Sequence, residues 1–187
     1  MKVMKGDFYM KKYFVLLSII LVIITNTSKK EEVIIPEEAI RFRVIAASNT
    51  IADQQTKQKV KKSLQEDLTN LLATSTSISS TRNILKTNLA HLNQTIATTL
   101  QEDHNLTSYK LHYGLNYFPA KKYKGITYQE GYYESLVVSL GNAEGTNWWC
   151  VLFPPLCLLD DNGTTKEVEY KLLVKELLQK YFPNQEK

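Results

Sequence analysis

Between Ala39 and Phe153 the spacing of apolar residues changes period twice, from two to about 3.6 and back to two. In "AIRFRVIAAS", Ile40, Phe42, Val44 and Ala46 alternate with Arg41, Arg43, Ile45 and Ala47, which predicts a strand with one wetter face. "SNTIAD" then starts a helix: Thr50 can cap it, and Asp53 three residues later completes a capping-box pattern. Val60, Leu64, Leu68, Leu71 and Leu72 carry an amphipathic face to about Leu72. The polar cluster "TSTSISST" (Thr74 to Thr81) reads as a loop ending in a helix cap. Leu85, Leu89, Leu92, Ile96 and Leu100 mark a second helix; the stripe spans little more than two heptads, which favours a helix pair packed on a sheet over a coiled-coil or partner helix.

From Tyr109 the period is two again, through Leu111, Tyr113, Leu115 and Tyr117; "ESLVVSLG" and "WWCVLF" add further strands. Gly125, Gly131, Gly141 and Gly145 mark connecting turns, as does Asp161-Asn162-Gly163. Val168, Leu172, Leu173 and Leu177 predict a closing amphipathic helix. This order of elements predicts a single α+β domain, a mostly antiparallel sheet packed with two or three amphipathic helices.

The first residues set the expected compartment. Lys2, Lys5, Lys11 and Lys12 precede an apolar run from Tyr13 to Ile24 broken only by Ser18. A basic start and a run of this length describe a secretory signal peptide, and a stable span needs about 20 apolar residues. Only Thr25 and Thr27 offer small residues for cleavage, so residues 1–28 are read as a signal peptide or an N-terminal membrane anchor. Residues 29–187 are then the exported domain, whose membrane contact runs only through that first segment.

Charge argues against nucleic acid. The chain has 23 basic and 19 acidic residues; with four Lys and one Asp in residues 1–28, the remainder has 19 against 18, a net charge of +1. A nucleic-acid reader concentrates basic residues on its folded domain. The densest run here, "KQKVKK" (Lys57 to Lys62), lies on a helix beside Glu66 and Asp67 and reads as a solvated face.

Within "TNWWCVLFPPLC" (residues 146–157) fall both tryptophans and both cysteines of the chain. Cys150 as a nucleophile would need a histidine, and His91, His104 and His112 sit in no recognisable motif. Two cysteines without a nearby His cluster do not supply a structural zinc site. No catalytic, cofactor or metal residues are expected. In an oxidising compartment two cysteines suit one bridge, and Pro154-Pro155 between Cys150 and Cys157 would turn the chain. Two buried free thiols are the alternative. Adjacent on a strand, Trp148 and Trp149 point to opposite faces. One is expected under the helices and the other nearer the surface, where Trp favours interface hot spots.

"TNWWCVLFPPLC" resembles the signature of the stage II sporulation protein R family of endospore-forming bacteria. "AIRFRVIAASNTIADQQTKQKVK" resembles the family's first strand and helix, and "YFPAKKYKGITYQEGYYESLVVSLGNAEGTNWW" its middle. Ala47 and Thr50 depart from the residues common there. The resemblance runs from about Pro36 to Phe182. It implies a protein made in the forespore and secreted into the intermembrane space. There it would activate the membrane-embedded aspartic protease that processes pro-sigma-E, with no chemistry of its own and no cofactor. The implied partner is the extracytoplasmic part of that protease. Candidate partner-binding residues are Trp148, Trp149, Arg41 and Arg43. The competing readings are an exported cysteine-dependent hydrolase and a peptidoglycan-binding module.

Overall fold

A computed structural model describes residues 12–18, 33–105, 107–158 and 166–183. The chain divides into two units, residues 1–32 and 33–187. In the first, residues 12–18 are helical and exposed. Among the described residues no helix is long and apolar enough to cross a membrane. The rest of the expected export segment and the Asp161-Asn162-Gly163 turn lie outside the described residues.

The second unit is an α+β domain. Its elements are β1 (Val33–Ile34), β2 (Ile40–Ile45), α1 (Ile51–Leu72), α2 (Ile78–Thr87), α3 (Leu89–Glu102), β3 (Tyr109–Phe118), β4 (Lys121–Tyr123) and β5 (Ile126–Tyr128). Then come β6 (Gly131–Leu140), β7 (Asn147–Phe153), a 3₁₀ turn (Leu156–Leu158) and α4 (Glu167–Tyr181). The main sheet has the order β3-β6-β2-β7; β3–β6 and β2–β7 are antiparallel, and β2–β6 is parallel. A smaller sheet, β1-β5-β4, pairs β4–β5 antiparallel and β1–β5 parallel.

Each face of the main sheet has its own core. Phe42, Val44, Leu136 and Val138 pack against Val60, Leu64, Leu85, Leu92 and Ile96 of the helices. Cross-strand partners share a face, so the Phe42↔Leu136 and Phe42↔Cys150 pairs put Cys150 on this helical side. A second cluster joins Val33, Ile35, Ile126, Val151, Leu156, Tyr170 and Val174, drawn from the smaller sheet and the residue after β1, from β7, the 3₁₀ turn and α4. This second cover corrects the expected wetter face of β2: Arg41, on that face, is only 2% exposed.

Three other expectations shift in detail. The predicted second helix is two helices, α2 and α3, parted at Asn88 (φ −106°, ψ 11°). Asn88 Nδ2 donates to Ile84 O at 2.8 Å, and Thr87 Oγ1 donates to the same carbonyl at 3.1 Å. Such short polar side chains compete with the backbone ladder. The Leu85-to-Leu100 stripe nevertheless runs through the break. α2 starts inside the polar cluster, with Ser77 Oγ accepting from Ser80 N at 3.1 Å. In α4 the buried positions are Tyr170 and Val174, while Val168 and Leu172 stand exposed. Apolar residues on nearly every face of that helix made its buried stripe ambiguous in the sequence.

Candidate functional site

Two sequence motifs meet where α1 begins and β7 begins. Thr50 Oγ1 accepts from Asp53 N at 3.2 Å, capping α1. The reciprocal half of the box runs through Ser48: its hydroxyl donates to Asp53 Oδ2 at 2.5 Å and accepts from Thr50 N at 3.1 Å. Asn49 Oδ1 accepts from Thr146 N at 2.8 Å, and Gln54 Nε2 donates to Ser48 O at 2.8 Å. Lys57, 4% exposed, donates to Gln54 Oε1 at 2.5 Å and to Thr146 O at 3.1 Å. Burial lowers the Lys57 ammonium pKa. A buried charge persists only when its hydrogen bonds are satisfied, so this network holds the Gly145-Thr146 turn and sets the start of β7. Lys57 is therefore a buried tie rather than part of a solvated basic face.

β7 then separates the tryptophans as its pleat requires. Trp148 lies on the helical side, edge-on to Phe42 at 5.4 Å between centroids, with Lys61 Nζ 4.9 Å from its ring. Trp149 faces the other way, edge-on to Phe118 at 5.5 Å, with Lys121 Nζ 4.9 Å from its ring. Both are half-buried. The expected contrast in exposure is absent; the contrast is in neighbours. Cys150 and Cys157 form a disulfide, with Cα atoms 5.5 Å apart, inside the usual range for such bridges. The sulfur of Cys150 is thereby not a free thiolate.

On the Trp149 side a cleft of about 180 Å³ opens, lined among others by Arg41, Phe118, Lys121, Tyr128, Trp149 and Tyr170. Arg41 is held among aromatic rings: its Cζ lies 3.3 Å from the Tyr133 centroid, 5.2 Å from Phe118 and 5.9 Å from Tyr128. Cation–π attraction offsets part of the cost of burying the guanidinium. Nη2 donates to Gln129 O at 3.3 Å, whereas Nε and Nη1 have no hydrogen-bond partner among the described residues. Burial lowers the Arg41 pKa, yet a guanidinium stays charged at any ordinary pH. Trp149 Nε1 is likewise buried and without a hydrogen-bond partner among the described residues. Arg43, half-buried beside it, donates from Nη1 to Tyr117 O at 3.3 Å and lies 4.8 Å from the Phe118 ring.

The structure thus brings Arg41, Arg43 and Trp149 to one face of the sheet and sets Trp148 on the other. Sequence reasoning missed Phe118, Lys121, Tyr128 and Tyr133. The signal available was the density of tyrosines, seven of them from Tyr109 to Tyr133. Among the described residues no group of His, Cys, Asp and Glu could hold a metal ion. His91 is engaged with Asp67 at 3.1 Å, on the helical layer.

The residues that build this cleft fall almost entirely within a family match. Residues 36–163 match the family model for stage II sporulation protein R (spore_II_R). The chain belongs to the stage II sporulation protein R family. A stage II sporulation protein R of Bacillus subtilis (strain 168) is 36% identical over 148 residues, covering 78% of this chain and 66% of the relative. The match thus spans slightly less than two-thirds of that relative's length. No solved structure matches. The matched span holds β2, α1, Lys57 and its partners, the tyrosine-rich strands and both cysteines; of the cleft residues named, only Tyr170 of α4 lies beyond it.

Proposed function

We propose that this chain is an exported signalling protein of endospore formation that activates the membrane-embedded aspartic protease processing pro-sigma-E. Membership of a sporulation family carries the reading. The basic, apolar start of the chain supports export from the forespore into the intermembrane space, released or anchored. A bridged cysteine pair also suits an oxidising compartment.

The mechanism is binding rather than bond-breaking. An activator shifts its target between two states only through differential affinity for them. The domain binds the extracytoplasmic part of the protease and favours its active arrangement. The competing hydrolase needs a free Cys150, and that sulfur is in the disulfide. Co-expression of the protease and pro-sigma-E in a non-sporulating host tests the reading. Cleaved sigma factor should accumulate only when this chain is also made and exported. Equal cleavage without it would refute the proposal, as would cleavage by the purified chain without the protease.

A further inference from the structure

We propose that the Arg41–Trp149 cleft receives the acidic side chain of an extended peptide segment that pairs along the outer edge of β7. This rests on the reading of the domain as a partner-binding module and names the chemistry it would bind.

The cleft has donors in excess. Arg41 is 2% exposed, with Nε and Nη1 lacking hydrogen-bond partners among the described residues, and Trp149 Nε1 is a third buried donor without one there. Buried donors are ordinarily paired, and each specific exception calls for an explanation. Lys121 adds a second cation at the exposed rim, and among the described residues no Asp or Glu lines the cleft. A carboxylate is the group that complements one guanidinium, one ammonium and an indole N–H together.

The form of the ligand follows from β7. It ends the β3-β6-β2-β7 order, and among the described residues no strand pairs with its outer side. Every residue from Asn147 to Val151 lines the cleft. Side chains alternate between faces along a strand, so an unbroken run can line one cleft only where it opens along the backbone edge. An added strand would lie about 4.8 Å away with alternate side chains on the Trp149 face. That places an internal acidic side chain, rather than a chain terminus, over Arg41.

Fluorescence titration of the full chain carrying Trp148→Phe leaves Trp149 as the sole indole reporter. The probes are the blocked peptide acetyl-Thr-Val-Glu-Val-Thr-amide, its Gln analogue, and acetyl-Thr-Val-Thr with a free terminal carboxylate. The Glu peptide should shift Trp149 emission saturably and bind about tenfold or more tighter than the Gln peptide, as expected for a bond to a charged group. Lys121→Glu, at the exposed rim, should abolish that preference with the melting temperature unchanged; Arg41→Gln should do the same if it folds. Equal binding of Glu and Gln peptides, no emission change, or a preference surviving Lys121→Glu would overturn the inference. Tighter binding of the free-carboxylate peptide would overturn the internal side chain as occupant. Protease activation that survives loss of peptide binding would refute the docking inference alone. Peptide binding without any activation would support the cleft and refute the functional reading.

Discussion

Replacing Gly145 by Ala tests the docking of the two motifs that set the start of β7. A Cβ at residue 145 would lie 2.3 Å from Ser48 O, 2.7 Å from Ser48 C and 2.8 Å from Ala46 Cβ. The nearest atoms are backbone, so no rotamer change relieves the overlap. Reaching ordinary contact near 3.4 Å requires the segments to part by about 1 Å. Gly145 N–Ala46 O (3.0 Å), Glu144 N–Ala47 O (3.2 Å) and Thr146 N–Asn49 Oδ1 (2.8 Å) all span that junction. So does the bond from buried Lys57 to Thr146 O at 3.1 Å. Loss of two of these three neutral bonds and weakening of the ammonium bond costs about 3 kcal/mol. For a domain of this size that lowers the melting temperature by about 6–12 °C. Circular dichroism melts of Gly145→Ala and the parent under oxidising conditions measure it. A melting temperature within about 2 °C of the parent would refute the claim that this close approach organises β7.

Other outcomes follow from the same geometry. Non-reduced mass spectrometry of the exported protein should show a two-hydrogen deficit across residues 148–160, and Cys150→Ser with Cys157→Ser should cost about 2–3 kcal/mol for so short a loop. Trp148→Ala and Trp149→Ala should each lower the melting temperature, since both rings are half-buried, but only Trp149→Ala should abolish activation in cells where export is unchanged. Arg82 Nε and Nη2 donate to Glu134 at 2.7–3.0 Å and Tyr113 Oη donates at 2.6 Å, holding that carboxyl below its ordinary range. The folded pKa thus lies below the unfolded one, so this contribution is complete above the unfolded value and is lost as pH falls through the folded one. Glu134→Gln should therefore flatten the fall in melting temperature on acidification, as parallel melts from neutral pH downward would show.

Periodicity made the helical layer legible: Val60, Leu64, Leu85, Leu92 and Ile96 are the residues the stripe picks out, and all are fully buried. Other features depend on which element covers which face. Arg41 reads as the solvated side of a strand because nothing local announces that Phe118, Tyr128 and Tyr133 fold over it. The same limit applies to β3. Tyr109, Leu111 and Tyr113 pack on the helical core, whereas Leu115 and Tyr117, in the same alternation, are 71% and 47% exposed. Lys57 shows the reverse error: a lysine in a basic run is buried because its hydrogen-bond partners come from Gln54 and from Thr146, far along the chain. The Trp-Trp-Cys segment pointed to where the candidate site would lie, and the long-range cover over β2 sets what chemistry that cleft offers.

The central claim is that this domain acts by binding the extracytoplasmic part of the protease through the Trp149 face of β7. Biolayer interferometry of the full chain against that immobilised part of the protease tests it most directly. The account predicts saturable binding that is lost in Lys121→Glu, with the thermal melt of that variant unchanged. No binding by the parent chain, or undiminished binding by Lys121→Glu, would contradict it.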